Sequence, residues 1–223
     1  MKYISKSAEP EVFRRWKAGA NEDWQPSYDE LAVPEKQAVR LSLLAEQGHL
    51  CCYCGQRVGV NDSHIEHLEP QSVAPDRALA YDNLLLSCGR DRWGVPLERP
   101  RGDKIKRPHC GRARGNELLP VTPLQPDCGQ HFQFVSDGAA VRIRPAGDAD
   151  QQQRAARTIE LLVLDHIVLD RNRAAALALF LDEWRAGSVD GSSLARLMEP
   201  QTNGHLWEFC FAVVSVLTGR PAA

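Results

Sequence analysis

The chain lacks any long apolar run, and this absence limits where the protein can act. Its best candidate for a membrane span, Phe209 to Leu217, is far shorter than the ~20 apolar residues that a membrane-crossing helix needs. The first residues, Met1 to Ala8, contain no apolar core of the kind that a secretory signal carries. We therefore expect a cytoplasmic protein with no membrane partner.

Internal repeats and low-complexity tracts are also lacking. The chain has 223 residues, a length that allows one or two domains. Hydrophobic residues make up 43% of it, which is enough for a folded core and too many for a disordered chain.

The chain has little net charge, −2 with histidine neutral, which argues against a surface coated with DNA-binding cations. The average hides a local excess between Arg90 and Arg114, where nine basic and three acidic residues give a net +6 and leave −8 for the rest. Such a basic segment favours a phosphate-backbone ligand. The alternative is a solvated loop. The nine basic residues are Arg90, Arg92, Arg99, Arg101, Lys104, Lys106, Arg107, Arg112 and Arg114.

Disulfides are not expected among the seven cysteines, because cytoplasmic thiols stay reduced. Six lie between residues 51 and 128, whereas Cys210 lies among apolar residues and is interpreted as a small buried hydrophobe. Cys51 and Cys54 have the spacing of a zinc knuckle, in which two thiolates reach one tetrahedral ion at about 2.3 Å. We predict that Cys88 and Cys110 complete the set. Four thiolates leave no open position for water, so this zinc would be structural.

A second ligand set stays open, namely Cys51, Cys54, His64 and His67. The nine residues between its second cysteine and first histidine are few against the ~12–15 usual in zinc fingers. This set would also use up His67, the best candidate for a catalytic base. The remaining two cysteines are interpreted as ordinary buried or partly exposed thiols: Cys52 and Cys128.

The segment from Ser63 to Pro70, with the sequence Ser-His-Ile-Glu-His-Leu-Glu-Pro, carries the most informative pattern. It lacks the His-Glu-x-x-His spacing, which excludes a metalloprotease helix. In a strand, Glu66 and His67 point to opposite faces. The break at Glu69-Pro70 nevertheless lets both border one cleft. Asn83 follows sixteen residues after His67.

Turn signals and hydrophobic periodicity predict an α+β fold. We expect a short strand and an early helix within residues 1–30, a helix over 34–48, and a strand from Ser63 to Leu68. Asn83 to Cys88 looks like the start of a helix. Phe132 to Val135 and Val141 to Ile143 predict a hairpin that turns at Asp137-Gly138.

From Gln151 onward the apolar residues recur at helical spacing. Arg171 to Trp184 is either a second helix or a continuation of the first, and two further helical stretches follow. We divide the chain into an N-terminal helical segment (1–48), a central core with the zinc site (49–145) and a helical C-terminal region (146–223).

The order of these motifs resembles that of the HNH nucleases, and more closely the nuclease subunit of Septu anti-phage systems, a PtuB-like or retron-associated HNH family. The resemblance runs almost end to end, and its central motifs are specific in combination. The residues that carry it are Ile4, Pro10, Trp16, Leu44, Glu46-Gln47, Leu50 to Cys54, His64 to His67, Pro70 to Ser72, Tyr81 to Cys88, Thr158-Ile159 and Arg173.

The resemblance implies a ββα-metal core that hydrolyses phosphodiester bonds of DNA or RNA. It implies that His67, whose free pKa of about 6.5 suits general-base work, takes a proton from the attacking water. Glu66 would bind a catalytic Mg²⁺ or Mn²⁺. Asn83 would hydrogen-bond near His67 and hold the imidazole, although a helix N-cap is itself a good reason for this residue.

The resemblance also implies ligands and a partner. The candidate nucleic-acid-binding residues are Arg112, Arg114, Lys104, Lys106, Arg107 and His64, the last of which is equally explained by a structural role. A Septu nuclease subunit works with an ATPase of the SMC or ABC type (PtuA-like), and the helical regions at both ends would dock it. The low overall positive charge agrees with a subunit that relies on a partner protein to bind nucleic acid.

One departure from the family pattern follows the last cysteine of the proposed zinc site. The family places a His or Asn there and then a Lys, whereas this chain reads Cys110-Gly-Arg-Ala-Arg-Gly-Asn116. Arginine cannot bind a metal. Either His109 or Asn116 takes the place of the ligand, or the metal site has fewer ligands, or Arg112 binds phosphate directly. Arg114 is a candidate to replace the Lys. The departure keeps an alternative open, a catalytically inactive, zinc-stabilised module that binds nucleic acid or protein.

Overall fold

The computed structural model describes residues 1–89, 108–188 and 190–221. Lys104, Lys106 and Arg107, with most of the predicted basic segment, lie outside the described residues. One hydrophobic core contains side chains from each of the three predicted segments, from Met1 to Val213. Among the described residues, no helix is long and apolar enough to cross a membrane.

Two helices precede the central part of the chain, α1 (Glu11–Ala18) and α2 (Glu35–Glu46). The predicted helix over 34–48 is confirmed. Pro34 precedes its first residue, and Val39, Leu43 and Leu44 bury its apolar face. The short strand expected before α1 is not formed, because residues 1–10 have no regular secondary structure.

Strands β1 (Ser63–His67) and β2 (Leu84–Cys88) form an antiparallel hairpin in which His67 pairs with Leu84 and Ser63 with Cys88. The predicted helix at Asn83 to Cys88 is therefore wrong, and so is the helix N-cap role for Asn83. A short 3₁₀ turn (Tyr81–Asn83) leads directly into β2, whose five residues are all buried. A short apolar run fits a buried strand as well as a buried helix, and pairing with β1 decides between them.

A second hairpin lies further along the chain and confirms the prediction made for it. It consists of β3 (Phe132–Ser136) and β4 (Val141–Pro145), paired antiparallel. A helix of one turn, α3 (Gly111–Arg114), lies between the two hairpins. At the tip of the second hairpin, the Asp137 carboxylate accepts hydrogen bonds from the backbone N–H groups of Ala139 and Ala140.

The C-terminal part is helical, as predicted, and consists of α4 (Ala149–Leu162), α5 (Ile167–Arg185), α6 (Gly191–Leu197) and α7 (Cys210–Thr218). Helix α5 is separate from α4. Val163 adopts a left-handed conformation that ends α4, and the His166 ring accepts a hydrogen bond from the Val168 N–H at the start of α5.

The later helices pack on the earlier strands. Helix α7 lies against β3, and α4 and α5 both lie against β4. Helix α4 also contacts α3, and α2 contacts β2. The first hairpin and α3, which carry the candidate site residues, are therefore braced by helices from both ends of the chain.

Candidate functional site

The structure brings together the four cysteines predicted as zinc ligands, Cys51, Cys54, Cys88 and Cys110. Their sulfur atoms all lie within 4.8 Å of one another, and all four residues are buried. The sulfurs of Cys54 and Cys88 are 3.7 Å apart. A tetrahedral zinc with bonds of about 2.3 Å separates neighbouring sulfurs by about 3.8 Å. This donor set fits a metal ion such as zinc.

Three parts of the fold position the four cysteines. Cys51 and Cys54 lie on a tight turn closed by a hydrogen bond from the Gly55 N–H to the Cys51 carbonyl. Cys88 ends β2. The Cys110 N–H donates to the Leu162 carbonyl at 2.7 Å, which ties the fourth cysteine to the end of α4. The cysteine group therefore joins the knuckle turn, the first hairpin and the C-terminal helices.

A buried cation from α5 contributes positive charge near the cysteine group. Four thiolates around a divalent ion carry a net negative charge, which is costly to bury unpaired. The Arg173 side chain is 1% exposed, donates to the Asp170 carboxylate and the Leu164 carbonyl, and is attracted by the thiolates of Cys54 and Cys110. Burial lowers the pKa of Arg173, and this attraction opposes the change.

His109 lies at the cysteine group. Its Nδ1 atom is 3.2 Å from the Cys110 sulfur and 3.6 Å from the Cys88 sulfur. His109 therefore does not replace the missing family ligand in a catalytic site. The alternative zinc set with His64 and His67 is not formed either, since both histidines line a separate cleft.

That cleft is polar, has a volume of about 300 Å³ and lies between the end of β1 and α3. Below it is called the His67 cleft. Both Glu66 and His67 border it, as predicted from the break at Glu69-Pro70. Its lining residues are His64, Glu66, His67, Pro70, Gln71, Ser72, Gly111, Arg112, Arg114, Gly115 and Asn116.

The His67 ring is held by one hydrogen bond on each nitrogen. Its Nε2 atom is 3.0 Å from the Ala78 carbonyl oxygen, and its Nδ1 atom is 3.3 Å from the Gln71 side-chain nitrogen. A carbonyl can only accept, so Nε2 carries the proton, and an amide nitrogen can only donate, so Nδ1 carries the lone pair. The Tyr28 ring packs edge-on against the imidazole, with centroids 4.4 Å apart.

Burial also favours the neutral form of this ring. It lowers the pKa of His67 below the ordinary value of 6.5, while the hydrogen bond to the Ala78 carbonyl opposes the change and the positive charge of Arg114 adds to it. A neutral imidazole with a lone pair on Nδ1 is the form that a general base requires.

Asn83 hydrogen-bonds to the backbone near His67 and not to the imidazole itself. It is 1% exposed, and its side-chain oxygen accepts from the Glu69 N–H at 2.7 Å. Its side-chain nitrogen donates to the carbonyls of Glu69 and Arg77. Asn83 thus fixes the backbone of the loop between β1 and β2. Because this loop also contains Ala78 and Gln71, Asn83 acts on His67 through the backbone.

Glu66 is bound by protein groups and not by solvent. It is 3% exposed; the Arg114 guanidinium lies 2.6 Å from its Oε1, Tyr53 donates to the same oxygen, and Ser87 donates to Oε2. Burial raises the pKa of Glu66, and the charge of Arg114 opposes this change. Mg²⁺ demands octahedral oxygen ligands at about 2.0–2.1 Å and usually keeps several waters. This donor set does not fit the Mg²⁺ or Mn²⁺ predicted at Glu66.

The arginines of α3 have different environments. Arg114 is 5% exposed and also donates to the carbonyls of His67 and Leu68, so it braces the end of β1 instead of offering a free phosphate contact as predicted. Arg112 is half-buried, donates to the Gly89 carbonyl and lines the His67 cleft. Exposed residues at the rim include His64 and Asn116, so Asn116, unlike His109, lies at the cleft.

Several groups in the site were not assigned a role from the sequence. Tyr53, Gln71 and Ser87 belong to the motifs that carry the resemblance, but the sequence alone gives none of them a chemical role. The Ala78 carbonyl belongs to the backbone, so no side chain in the sequence indicates its contact with the His67 ring. Only the loop that returns the chain from β1 to β2 brings this carbonyl to the imidazole.

Comparison with known proteins agrees with a nuclease. The chain is 28% identical over 153 residues to a Vibrio cholerae serotype O1 biovar El Tor protein named "Retron Vc95 putative HNH endonuclease". The alignment covers 66% of this chain and 67% of that protein. No model of a known protein family matches the chain. The similarity supports an HNH-type nuclease, and the mixed fold with a four-cysteine group fits that class.

Proposed function

We propose that this protein is an HNH-type endonuclease that hydrolyses phosphodiester bonds of nucleic acid, with His67 as its general base. The observation that carries the proposal is the orientation of the His67 ring. Its Nε2–H is held by the Ala78 carbonyl, which leaves the lone pair of Nδ1 within a polar cleft lined by arginine. Similarity to a protein named as an HNH endonuclease supports the same reaction.

The proposed reaction is hydrolysis by one activated water. Nδ1 of His67 takes a proton from water, and the water oxygen forms a bond to phosphorus. The bond from phosphorus to the 3′ oxygen breaks, and its electron pair leaves on that oxygen, which takes a proton from solvent. The products are a 5′-phosphate and a 3′-hydroxyl. Arg112 lies where its positive charge would stabilise the phosphate in the transition state.

The two predicted metal ions differ in their roles in this proposal. Zinc on the four cysteines would be structural, because four thiolates close its coordination sphere and leave no position for water. It would fix the positions of β2, α3 and the end of α4 relative to one another beside the His67 cleft. The predicted Mg²⁺ or Mn²⁺ enters no step, since both oxygens of Glu66 are bound by protein groups.

A biological role in anti-phage defence belongs to the same proposal. It rests on the resemblance to Septu nuclease subunits and on similarity to a retron protein. The Septu resemblance also supports an ATPase partner of the SMC or ABC type. An ATPase reading frame beside this one, and co-purification of its product with this chain, are the expected findings.

The second candidate function is a zinc-stabilised binding module without catalysis. The ion pair between Glu66 and Arg114 favours it, because this pair uses the carboxylate that the family resemblance assigns to catalysis. Such a module would bind nucleic acid or a protein partner without cleaving the bound strand.

Cleavage assays distinguish the two candidates. Purified zinc-loaded protein would be incubated with plasmid DNA and with RNA in Mg²⁺ buffer, alone and with any ATPase encoded beside it. We expect cleavage by the wild type, loss in His67→Ala, and wild-type cleavage in the control His205→Ala, whose ring stacks on His49 outside the cleft. Gel-shift binding without cleavage by the wild type would favour the binding module. Cleavage unaffected by His67→Ala would remove His67 from the mechanism.

A further inference from the structure

A buried ion pair forms the floor of the His67 cleft. The Arg114 guanidinium and the Glu66 carboxylate are 2.6 Å apart, and their side chains are 3% and 4% exposed. Tyr53 and Ser87 complete the hydrogen bonds of the carboxylate. A carboxylate this deeply buried needs a positive partner, and Arg114 supplies it.

Arg114 is itself anchored on more than one side. In addition to Glu66, its guanidinium donates to the His67 carbonyl at 2.7 Å and to the Leu68 carbonyl at 2.9 Å. All three acceptors belong to the end of β1 and the residue after it. A divalent ion on Glu66 would have to displace Arg114 from these acceptors or lie beside it in a desolvated site, where like charges repel strongly.

Among the described residues, Gly111 closes the Oε2 side of the carboxylate, so an ion could approach it only from the side that Arg114 occupies. Gly111, the first residue of α3, is so close that a Cβ there would lie 1.9 Å from Glu66 Oε2. No side chain at that position could reach around to bind an ion shared with Glu66. The space on this side of Glu66 is already filled by the backbone of Gly111.

We propose that Arg114 is the resident cation of Glu66 and excludes divalent ions from that carboxylate. The family resemblance assigns the position beside Glu66 to a catalytic metal. In this protein the positive charge at that position belongs to a guanidinium that is fixed in the fold. Arg114 is a positioning residue in this account, because it holds the last residues of β1, including His67, against α3.

Binding of Mn²⁺ to the zinc-loaded full chain tests this proposal without substrate. Free Mn²⁺ would be measured by its electron paramagnetic resonance signal in wild type, Arg114→Met, Arg114→Lys and the double variant Arg114→Met/Glu66→Gln. We expect no Mn²⁺ site dependent on Glu66 in the wild type. Arg114→Met should gain one Mn²⁺ site, with an affinity roughly tenfold or more above any Mn²⁺ binding by the wild type, because a repelling charge is gone. Arg114→Lys should still exclude the ion, and the double variant should lose the new site.

Two controls keep the outcome interpretable. Zinc content and thermal unfolding establish that each variant is folded, and Arg114→Gln replaces Arg114→Met if the latter is not. Arg112→Met removes a neighbouring charge that does not touch Glu66, so it should gain no site.

Either of two results would overturn the proposal. One is a wild-type Mn²⁺ site that Glu66→Gln abolishes. The other is a folded Arg114→Met or Arg114→Gln variant that gains no site, since something other than Arg114 would then exclude the ion. Because no nucleic acid is present, neither result bears on whether His67 supports cleavage, which the assay with His67→Ala decides separately.

Discussion

At the scale of single residues, the chemistry of the site depends on which nitrogen of His67 carries the proton. The backbone decides this, because the Ala78 carbonyl can accept a hydrogen bond but cannot donate one. The Gln71 side-chain N–H donates to the lone pair of Nδ1, and in the proposed reaction a water O–H would take its place. Because Gln71 lines the cleft and Ala78 does not, Nδ1 is the nitrogen that would accept a proton from a water in the cleft.

The pH dependence of cleavage should show this environment. Burial lowers the pKa of His67 below 6.5, and the positive charge of Arg114 acts in the same direction. A base must be neutral, so activity should persist below pH 6.5 and fall only as the pH drops through the lowered pKa. The measurement is kcat/KM against pH, together with an NMR titration of the ring assigned by comparison with His67→Ala. A midpoint above 6.5 for the ring would contradict the account.

At the scale of elements, the loop between β1 and β2 is the part that positions the His67 ring. Asn83 makes three hydrogen bonds to the backbone of this loop, at Glu69 and Arg77. The loop in turn supplies both hydrogen-bond partners of the His67 ring. The loop therefore acts as a rigid support, although it has little regular secondary structure.

Replacing Asn83 should loosen this support. We expect Asn83→Ala to lower the free energy of unfolding by roughly 2–4 kcal/mol, because buried backbone groups lose their partners. The turnover number should fall more than the substrate affinity. Denaturant unfolding and steady-state kinetics measure the two effects.

Asn203→Ala is the matched control, since Asn203 is exposed and accepts one backbone hydrogen bond. Its substitution should change stability by about 0.5 kcal/mol or less. Equal effects at positions 83 and 203 would show that the loop does not depend on Asn83.

The sequence predicts some of these elements and misses others for physical reasons. Helix α2 and the second hairpin are visible because periodicity and turn residues are local signals. The apolar run at residues 84–88 fits a buried helix as well as a buried strand. Only its pairing with β1 shows that it is a strand. The cysteine group follows from spacing and ligand chemistry. The pairing of Glu66 with Arg114, 48 positions apart, has no local signal.

At the scale of the whole molecule, the cysteine group joins parts that are distant in sequence. Cys51 and Cys54 come from the knuckle, Cys88 from β2, and Cys110 is hydrogen-bonded to the end of α4. Arg173 on α5 adds a buried positive charge. One core runs through the N-terminal, central and C-terminal segments, so loss of the metal should affect all of them.

Removing one ligand should therefore destabilise the entire chain. We expect Cys88→Ser to lose its zinc and most of its cooperative thermal transition, because zinc binding in small domains is worth ~10 kcal/mol or more. Metal analysis and circular dichroism measure both. Cys128→Ser is the control, since Cys128 is equally buried but outside the group, and it should keep the zinc. Retained zinc with a normal melting temperature in Cys88→Ser would disprove the structural role.

In the proposed mechanism, the imidazole of residue 67 activates the water that breaks the phosphodiester bond. The most direct measurement is the single-turnover rate of strand cleavage by wild type and by His67→Ala under the same conditions, with the ends of the product sequenced. A general base contributes ~10²–10⁴ in rate, so the variant should be slower by that factor while the wild type leaves 5′-phosphate ends. Equal rates in the two proteins would contradict the account.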